Sequence, residues 1–330
     1  MKVDGIALTA AACIPETRTE VGHAIAGGLI RATDAAHEGI VSLPVAGPTT
    51  APEMAVAAAR SALGGCGIRE IDVDILIHAW VYDQGPDTWT PPHRVARSLG
   101  ASRCEAIGIR QMSNGGACAL HTGTARMLAD PDLHAVLVTT ADNFTALPYE
   151  RWLSIPFLGD GATAVVLTRS GARPADGDQT IAAICTVGCP DLELDFPTQD
   201  PFAPPLDEHG RISRPFRMPN RTVIETIGRC GAQAVSKALA DAGLEPDDPR
   251  IERLLLPRAG RTIVDFVLAA KLPAPLLARV EYTGAQTGHL GAGDLPANLA
   301  QTPPPSPGSY HVLLSSGAGY TSTCVVTEGR

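Results

Sequence analysis

Along the chain, short apolar runs alternate with longer stretches in which apolar positions recur every three or four residues. The runs 3–12, 74–79, 106–111, 135–140, 165–168, 181–188, 253–257, 310–315 and 321–327 predict strands. Helical spacing predicts helices near 20–31, over 52–63, 93–99, 117–129, 222–242 and 262–271, and onward from Pro296. Strands and helices in alternation predict an α/β protein whose mostly parallel sheets are covered on both faces. The pattern also repeats. Residues 57–68 read as a helix closed by glycine and are followed by the apolar strand Ile75-Leu76-Ile77; residues 233–244 do the same ahead of Leu254-Leu255-Leu256. A duplicated unit predicts two halves, 1–170 and 171–330, joined by the Gly/Ala/Pro/Asp-rich stretch 170–180. Sites in such folds gather where loops from both halves meet.

One junction stands out. The strand-like run 106–111 stops at Met112-Ser113-Asn114-Gly115-Gly116, and a small-residue helix follows. A strand, a sharp turn and a helix point one side chain out of the end of a sheet. The free backbone N–H groups of the helix N-terminus offer a place for a developing oxyanion. Ser113 is the residue so presented. It fits either a helix cap or a nucleophile.

The chain has 330 residues, 45% of them hydrophobic and 18% charged, enough for a sizeable core and unlike a disordered segment. A net charge of −9 without a long basic run argues against nucleic acid as a partner. No apolar stretch has the length of a membrane span, and Asp4, Glu16 and Glu20 do not suit a signal peptide, so a cytoplasmic location is expected. Eight cysteines are too few and scattered for a disulfide framework. Cys185 and Cys189 lack the second pair that a zinc site needs, so no metal is expected. Cys13, Cys66, Cys104, Cys230 and Cys324 read as core fillers. No dinucleotide fingerprint or phosphate loop is present, and no cofactor is expected. The residues 190–217 form a long Pro-rich segment, the kind of loop that is usually functional.

Three segments together resemble the thiolase-fold condensing enzymes of the ketoacyl-ACP synthase III type. They are Ala106 with the turn through Gly116, the run Gly159-Asp160-Gly161-Ala162, and Gly317-Ala318-Gly319 before the last strand. The resemblance covers nearly the whole length. It implies a five-layered αβαβα sandwich, a homodimer, and a thioester of CoA or of an acyl-carrier protein's phosphopantetheine as substrate. The family places Cys where this chain has Ser113. Taking Cys118 instead would shift the helix by five residues and bury the thiol beyond its first turn, so Cys118 reads as packing. The family's catalytic His falls on Arg258 and its Asn on His289. Arg cannot accept a proton at neutral pH, which speaks against decarboxylative condensation.

What remains is acyl transfer, as in an acyltransferase branch of the family found in polyketide and antibiotic pathways. His289 would be the base for Ser113. Asp294 is the nearest acid in sequence to orient it, with Asp191, Glu193 and Asp195 as other choices. The family's loops imply an oxyanion hole of the Ser113 and Ala318 N–H groups. Asp160 reads as structural. Substrate contacts are expected from Arg258, Asn114, His78, Arg217 and Arg221. The arginines Arg211, Arg214, Arg217 and Arg221 suit an acidic carrier or a pantetheine phosphate. The acceptor would be a sugar hydroxyl, an amine or another carrier. Two alternatives stand beside this reading: a decarboxylating synthase that extends a starter with malonyl-carrier, and a non-catalytic partner subunit.

Overall fold

The computed structural model describes residues 1–86, 88–171, 179–195 and 220–330. Among the described residues ten strands form the main sheet. The first half supplies β1 (Ile6–Cys13), β2 (Ile75–Ala79), β3 (Glu105–Ile109), β4 (Ala135–Asp142) and β5 (Gly161–Arg169). The second supplies β6 (Gln179–Gly188), β7 (Ile251–Leu255), β8 (Val280–Glu281), β9 (Tyr310–Gly317) and β10 (Thr321–Gly329). Across the sheet the order is β8-β7-β9-β10-β6-β1-β5-β4-β2-β3.

The two halves have one wiring. In the first, β2 pairs in parallel with β3 and β4, while β5 runs antiparallel to β4 and β1. In the second, β7 pairs in parallel with β8 and β9, while β10 runs antiparallel to β9 and β6. The repeat seen in residues 57–68 and 233–244 is thus part of a complete duplication. The duplicated unit implies two sheets related by pseudo-symmetry; the structure joins them at one edge, where β1 and β6 pair antiparallel through Ala7 with Thr180 and Leu8 with Gln179.

Alternation along each strand builds the layers. Ile75, Ile77, Val136, Val138, Val165 and Leu167 of the first half share one core with Leu255, Leu313 and Val325 of the second. Between them lie two helices, residues Gly115–Ala129 and Asp294–Gln301. The intervening residues Leu76, Leu137, Ala164 and Val166 face outward onto helices α1 (Ala51–Cys66) and α2 (Pro91–Leu99). On the other side Leu254, Val312, Leu314 and Val326 face outward onto α4 (Arg221–Ala242). Helices, strands, helices, strands and helices therefore follow one another, which is the thiolase fold.

The middle helices are α3 (Gly115–Ala129) and α5 (Asp294–Gln301). Packed between two sheet faces, they need small side chains. A Cβ on Gly123 would come within 3.0 Å of Val136. The outer helix α1 is built for a surface: Thr50 and Glu53 cap each other's backbone N–H, and Gly67 closes the helix in the left-handed region.

Several elements differ from expectation. The strands Arg18–Glu20 and Ser42–Pro44, which pair with each other, and β8 have two or three residues, too few for a period to show. The helix expected over 262–271 is one α-turn, Arg261–Ile263, followed by a π-turn, Val264–Leu268. Cys230 is not a lone core filler. It forms a disulfide with Cys189, bringing the end of β6 against α4 across 41 residues. The pairing joins residues remote in sequence, which spacing alone does not reveal. No helix among the described residues is long and apolar enough to cross a membrane.

Candidate active site

The elbow is real and tight. After β3 a 3-10 turn, Met112–Asn114, runs directly into α3, so the helix starts at Gly115, two residues earlier than predicted. Met112, just before Ser113, sits at φ 48°, a region that costs a side-chain-bearing residue energy. Ser113 is half-buried at this bend.

On the other side of the cleft, His289 belongs to the turn leading into α5. Its backbone N–H donates to the Phe157 carbonyl at 2.8 Å, and its carbonyl accepts from Gly159 N–H at 2.9 Å. The ring is thereby pinned by the segment that enters the Gly159-Asp160-Gly161-Ala162 turn. Its Nε2 lies 2.7 Å from Ser113 Oγ, and its Nδ1 lies 2.6 Å from Asp294 Oδ2. A carboxylate can only accept, so Nδ1 carries the proton and Nε2 is left to accept from the serine hydroxyl. Ser113 and His289 are 176 residues apart in sequence, one from each half.

Asp294 is the first residue of α5 and buried. Its Oδ1 accepts Leu290 N–H at 2.7 Å; its Oδ2 also accepts Arg258 N–H at 2.9 Å. These donors hold the carboxylate in place at the start of the helix. Burial alone would push the His289 imidazole down. The negative charges of Asp294 and Asp142 outweigh burial, and the net direction is up from 6.5.

The remaining predicted residues fall elsewhere. Arg258 is buried, at 2% exposure, and its side chain points into the protein: Nε donates to Asn298 and Nη1 to Thr287. Burial pushes its guanidinium down to about 10, with Asp294 pulling the other way. It braces α5 and the 283–289 loop and is not placed to meet substrate. Asn114 is wholly buried. It donates to Gln111 and to Thr323, whose hydroxyl meets that of Thr186, which meets His121. This chain of bonds ties the elbow to the second half; it leaves Asn114 no access to substrate. His78 is a satisfied core histidine between Thr139 and Gln84, stacked near Trp80, and burial lowers it to about 4. These three expected substrate contacts are corrected for one reason: all three side chains are buried inside the fold.

Arg221 is exposed at the start of α4 and pairs with Glu225. Arg211, Arg214 and Arg217 lie outside the described residues. Asp191 belongs to the 3-10 turn Pro190–Asp195 after β6, and Asp294 holds the His289 ring. Asp160 accepts from Arg151, Ala46, Phe144 and Thr145, knitting together the loops behind His289. Cys118 lies in α3 one turn beyond the elbow, half-buried, with burial pushing its thiol up. Gly317 packs on the elbow: a Cβ there would come within 2.6 Å of Asn114 N. The Gly317-Ala318-Gly319 turn therefore abuts the start of α3.

Sequence reasoning passed over Asp142 and Gly116. A Cβ on Gly116 would come within 2.4 Å of the Ala292 carbonyl, in the turn between His289 and Asp294. Gly116→Ala is expected to push that turn away from Ser113 and to destabilise the fold by about 1–3 kcal/mol. Thermal unfolding measures the second effect, and an unchanged melting temperature would contradict the close approach.

No protein-family model matches the chain. A ketoacyl-acyl-carrier-protein synthase III of Bordetella petrii is 27% identical over 282 residues, covering 81% of this chain and 78% of that protein. One from Clostridium perfringens is 24% identical over 226 residues, and the match spans 66% of this chain and 65% of that relative's length. The solved structure of ChlB3, an acyltransferase, superposes with a TM-score of 0.83 at 29% identity, over 98% of both chains. The chain has the thiolase fold and is similar to the ketoacyl-ACP synthase III-like proteins. It carries Ser at the elbow, Arg258 after β7, His289 in the turn before α5 and Asp294 as the first residue of that helix.

Proposed function

We propose that this protein is an acyltransferase that works through an acyl-Ser113 intermediate without decarboxylation. The observation that carries the reading is the unbroken chain Ser113 Oγ, His289 Nε2, His289 Nδ1, Asp294 Oδ2, with distances of 2.7 and 2.6 Å. The likeness to an acyltransferase across nearly the whole of both chains supports it.

In the first half-reaction Ser113 Oγ attacks the thioester carbonyl while His289 Nε2 takes its proton. The tetrahedral oxyanion is held by the backbone N–H groups of Ser113 and Ala318. The carbon–sulfur bond breaks, and the imidazolium returns the proton to the departing thiol of CoA or of a carrier's pantetheine arm. In the second, a hydroxyl, amine or thiol of the acceptor attacks the ester. His289 takes the acceptor's proton and gives one to Ser113 Oγ as the ester bond breaks. Asp294 holds the ring and offsets its transient charge. The cargo would feed a natural-product pathway such as polyketide assembly, and the protein would act as a homodimer in the cytoplasm.

The second reading is decarboxylating condensation, favoured by the curated relatives, which are named synthases. Against it stands Arg258, whose side chain is engaged with Asn298 and Thr287. Intact-protein mass spectrometry with acyl-CoA and acyl-carrier donors is expected to show one acyl adduct, mapped to Ser113. Product mass with malonyl-carrier present separates the two readings: chain extension with release of carbon dioxide would overturn the proposal.

A further inference from the structure

Asp142 is the last residue of β4 and has no exposed surface. Its carboxylate spans two loops. Oδ1 accepts Val81 N–H at 2.8 Å and Tyr82 N–H at 2.7 Å, on the loop after β2. Oδ2 accepts Ala292 N–H at 2.9 Å, in the turn between His289 and Asp294. The Val81 carbonyl accepts from Arg110, at the end of the strand that leads to Ser113. Gly291 has φ 61°, and a Cβ on it would come within 2.1 Å of Asp142 Oδ2. Glycine is thus required there both by its backbone and by the carboxylate pressed against it. Among the described residues no Lys or Arg pairs with Asp142.

A buried carboxylate without a cation is costly, and here both oxygens are used as acceptors, which an amide with a single oxygen could not match. What it adds is charge beside a ring that must become a cation. We propose that Asp142 is a positioning residue for the transfer: it fixes the turn carrying His289 and Asp294 against the loops around Ser113, and its charge favours the His289 imidazolium. The inference rests on the acyl-transfer reading for its purpose, not for its geometry. Among the described residues three groups face the His289 ring or act on it: Ser113 from the elbow, Asp294 from the first turn of α5, and Asp142 from the end of β4. Arg258 faces Asp294 from behind. Burial raises Asp142 to about 7, against the pull of its three N–H donors and of His289. By linkage, removing either charge moves the titration of the other group.

The test uses the full chain carrying ¹⁵N-labelled histidine, followed by NMR across pH, with Asp142→Asn compared to the unsubstituted protein. The His289 pKa is expected to fall by roughly half a unit or more when the charge is removed. A fluorophosphonate probe, which labels an activated serine whatever the natural acyl group, reads the consequence. The acidic limb of its rate profile moves to lower pH by the same amount, and the plateau falls about tenfold or more as the turn loosens. A folded Asp142→Asn protein whose His289 pKa and limb stay put overturns the proposal, even if the plateau drops. Should that variant not fold, the reciprocal measurement serves: in His289→Gln, the ¹³C signal of the Asp142 carboxyl must titrate at higher pH than in the unsubstituted protein, and an unmoved value overturns it. Fluorophosphonate labelling without any acyl adduct from thioesters would remove the acyl-transfer reading and leave the Asp142 test standing.

Discussion

Ser113→Ala is expected to abolish the acyl adduct and to lower acyl transfer by roughly 10⁴-fold or more, the scale of losing the nucleophile of a serine triad. The Ser113 hydroxyl is the group that His289 Nε2 reaches, and its position is set by the strained Met112 and by Gly317 packed beneath Asn114. Alanine keeps that backbone, so the melting temperature is expected to change little. Cys118→Ala is the matched control. That thiol sits a turn into α3 with burial pushing its pKa up, which leaves little thiolate. Its removal is expected to leave the adduct intact. An adduct that survives Ser113→Ala but vanishes with Cys118→Ala would reverse the assignment. Ser113→Cys is expected to keep forming an adduct, since the thiol takes the hydroxyl's place beside the same imidazole.

The elements were legible where a period had room to show. Helices α1 and α4 and strands β4, β6 and β10 lie within a few residues of their predicted ranges. The duplication was visible as a helix–glycine–strand pattern, yet its full extent was not. The antiparallel return of β5 and β10 and the β1–β6 seam depend on pairing between distant strands, which leaves no local mark. The site was read through its turns. Ser113 follows from the strand–turn–helix junction, and Asp294 from its closeness to His289 in a loop ending at a helix. Side chains whose partners come from other elements were misjudged. Arg258, Asn114 and His78 carry the residue types of a binding site, but each side chain is buried and bonded to neighbours within the fold.

The same blindness hid Asp142. In sequence it is an acid at the end of an apolar strand, and such acids commonly face solvent. Only the fold shows it closed over by the 81–82 loop and the 290–294 turn. Electrostatics thus accumulates around His289 from three distant segments. Asp294 and Asp142 supply negative charge, and Arg258 lends a backbone N–H to one while holding its guanidinium away from the ring. A cation at the position of the family's histidine would oppose an imidazolium next door. Turning that side chain toward Asn298 and Thr287 removes the conflict.

Asp294→Asn is expected to lower acylation of Ser113 by about 10²- to 10⁴-fold while leaving the fold in place. The amide keeps the shape, but its one oxygen can stand in for only one of the two carboxylate oxygens, of which Oδ1 accepts from Leu290 N–H and Oδ2 from Arg258 N–H. It cannot also hold the proton on His289 Nδ1 as firmly, so the ring is free to adopt the tautomer with Nε2–H, which faces Ser113 with a donor instead of an acceptor. The charge effect has a definite sign. Asp294 raises the His289 pKa, and the neutral ring is the active base, so activity of the unsubstituted protein rises with pH through a value above 6.5. Removing the carboxylate lowers that pKa, and the acidic limb of kcat/KM moves to lower pH even as the plateau falls. A structural role alone would lower the plateau and leave the limb in place. A full pH profile of both proteins, with acyl-CoA as donor and adduct mass as readout, separates the outcomes. Unaltered rates would mean that Asp294 does not act on His289, and with it the case for a serine triad would fail.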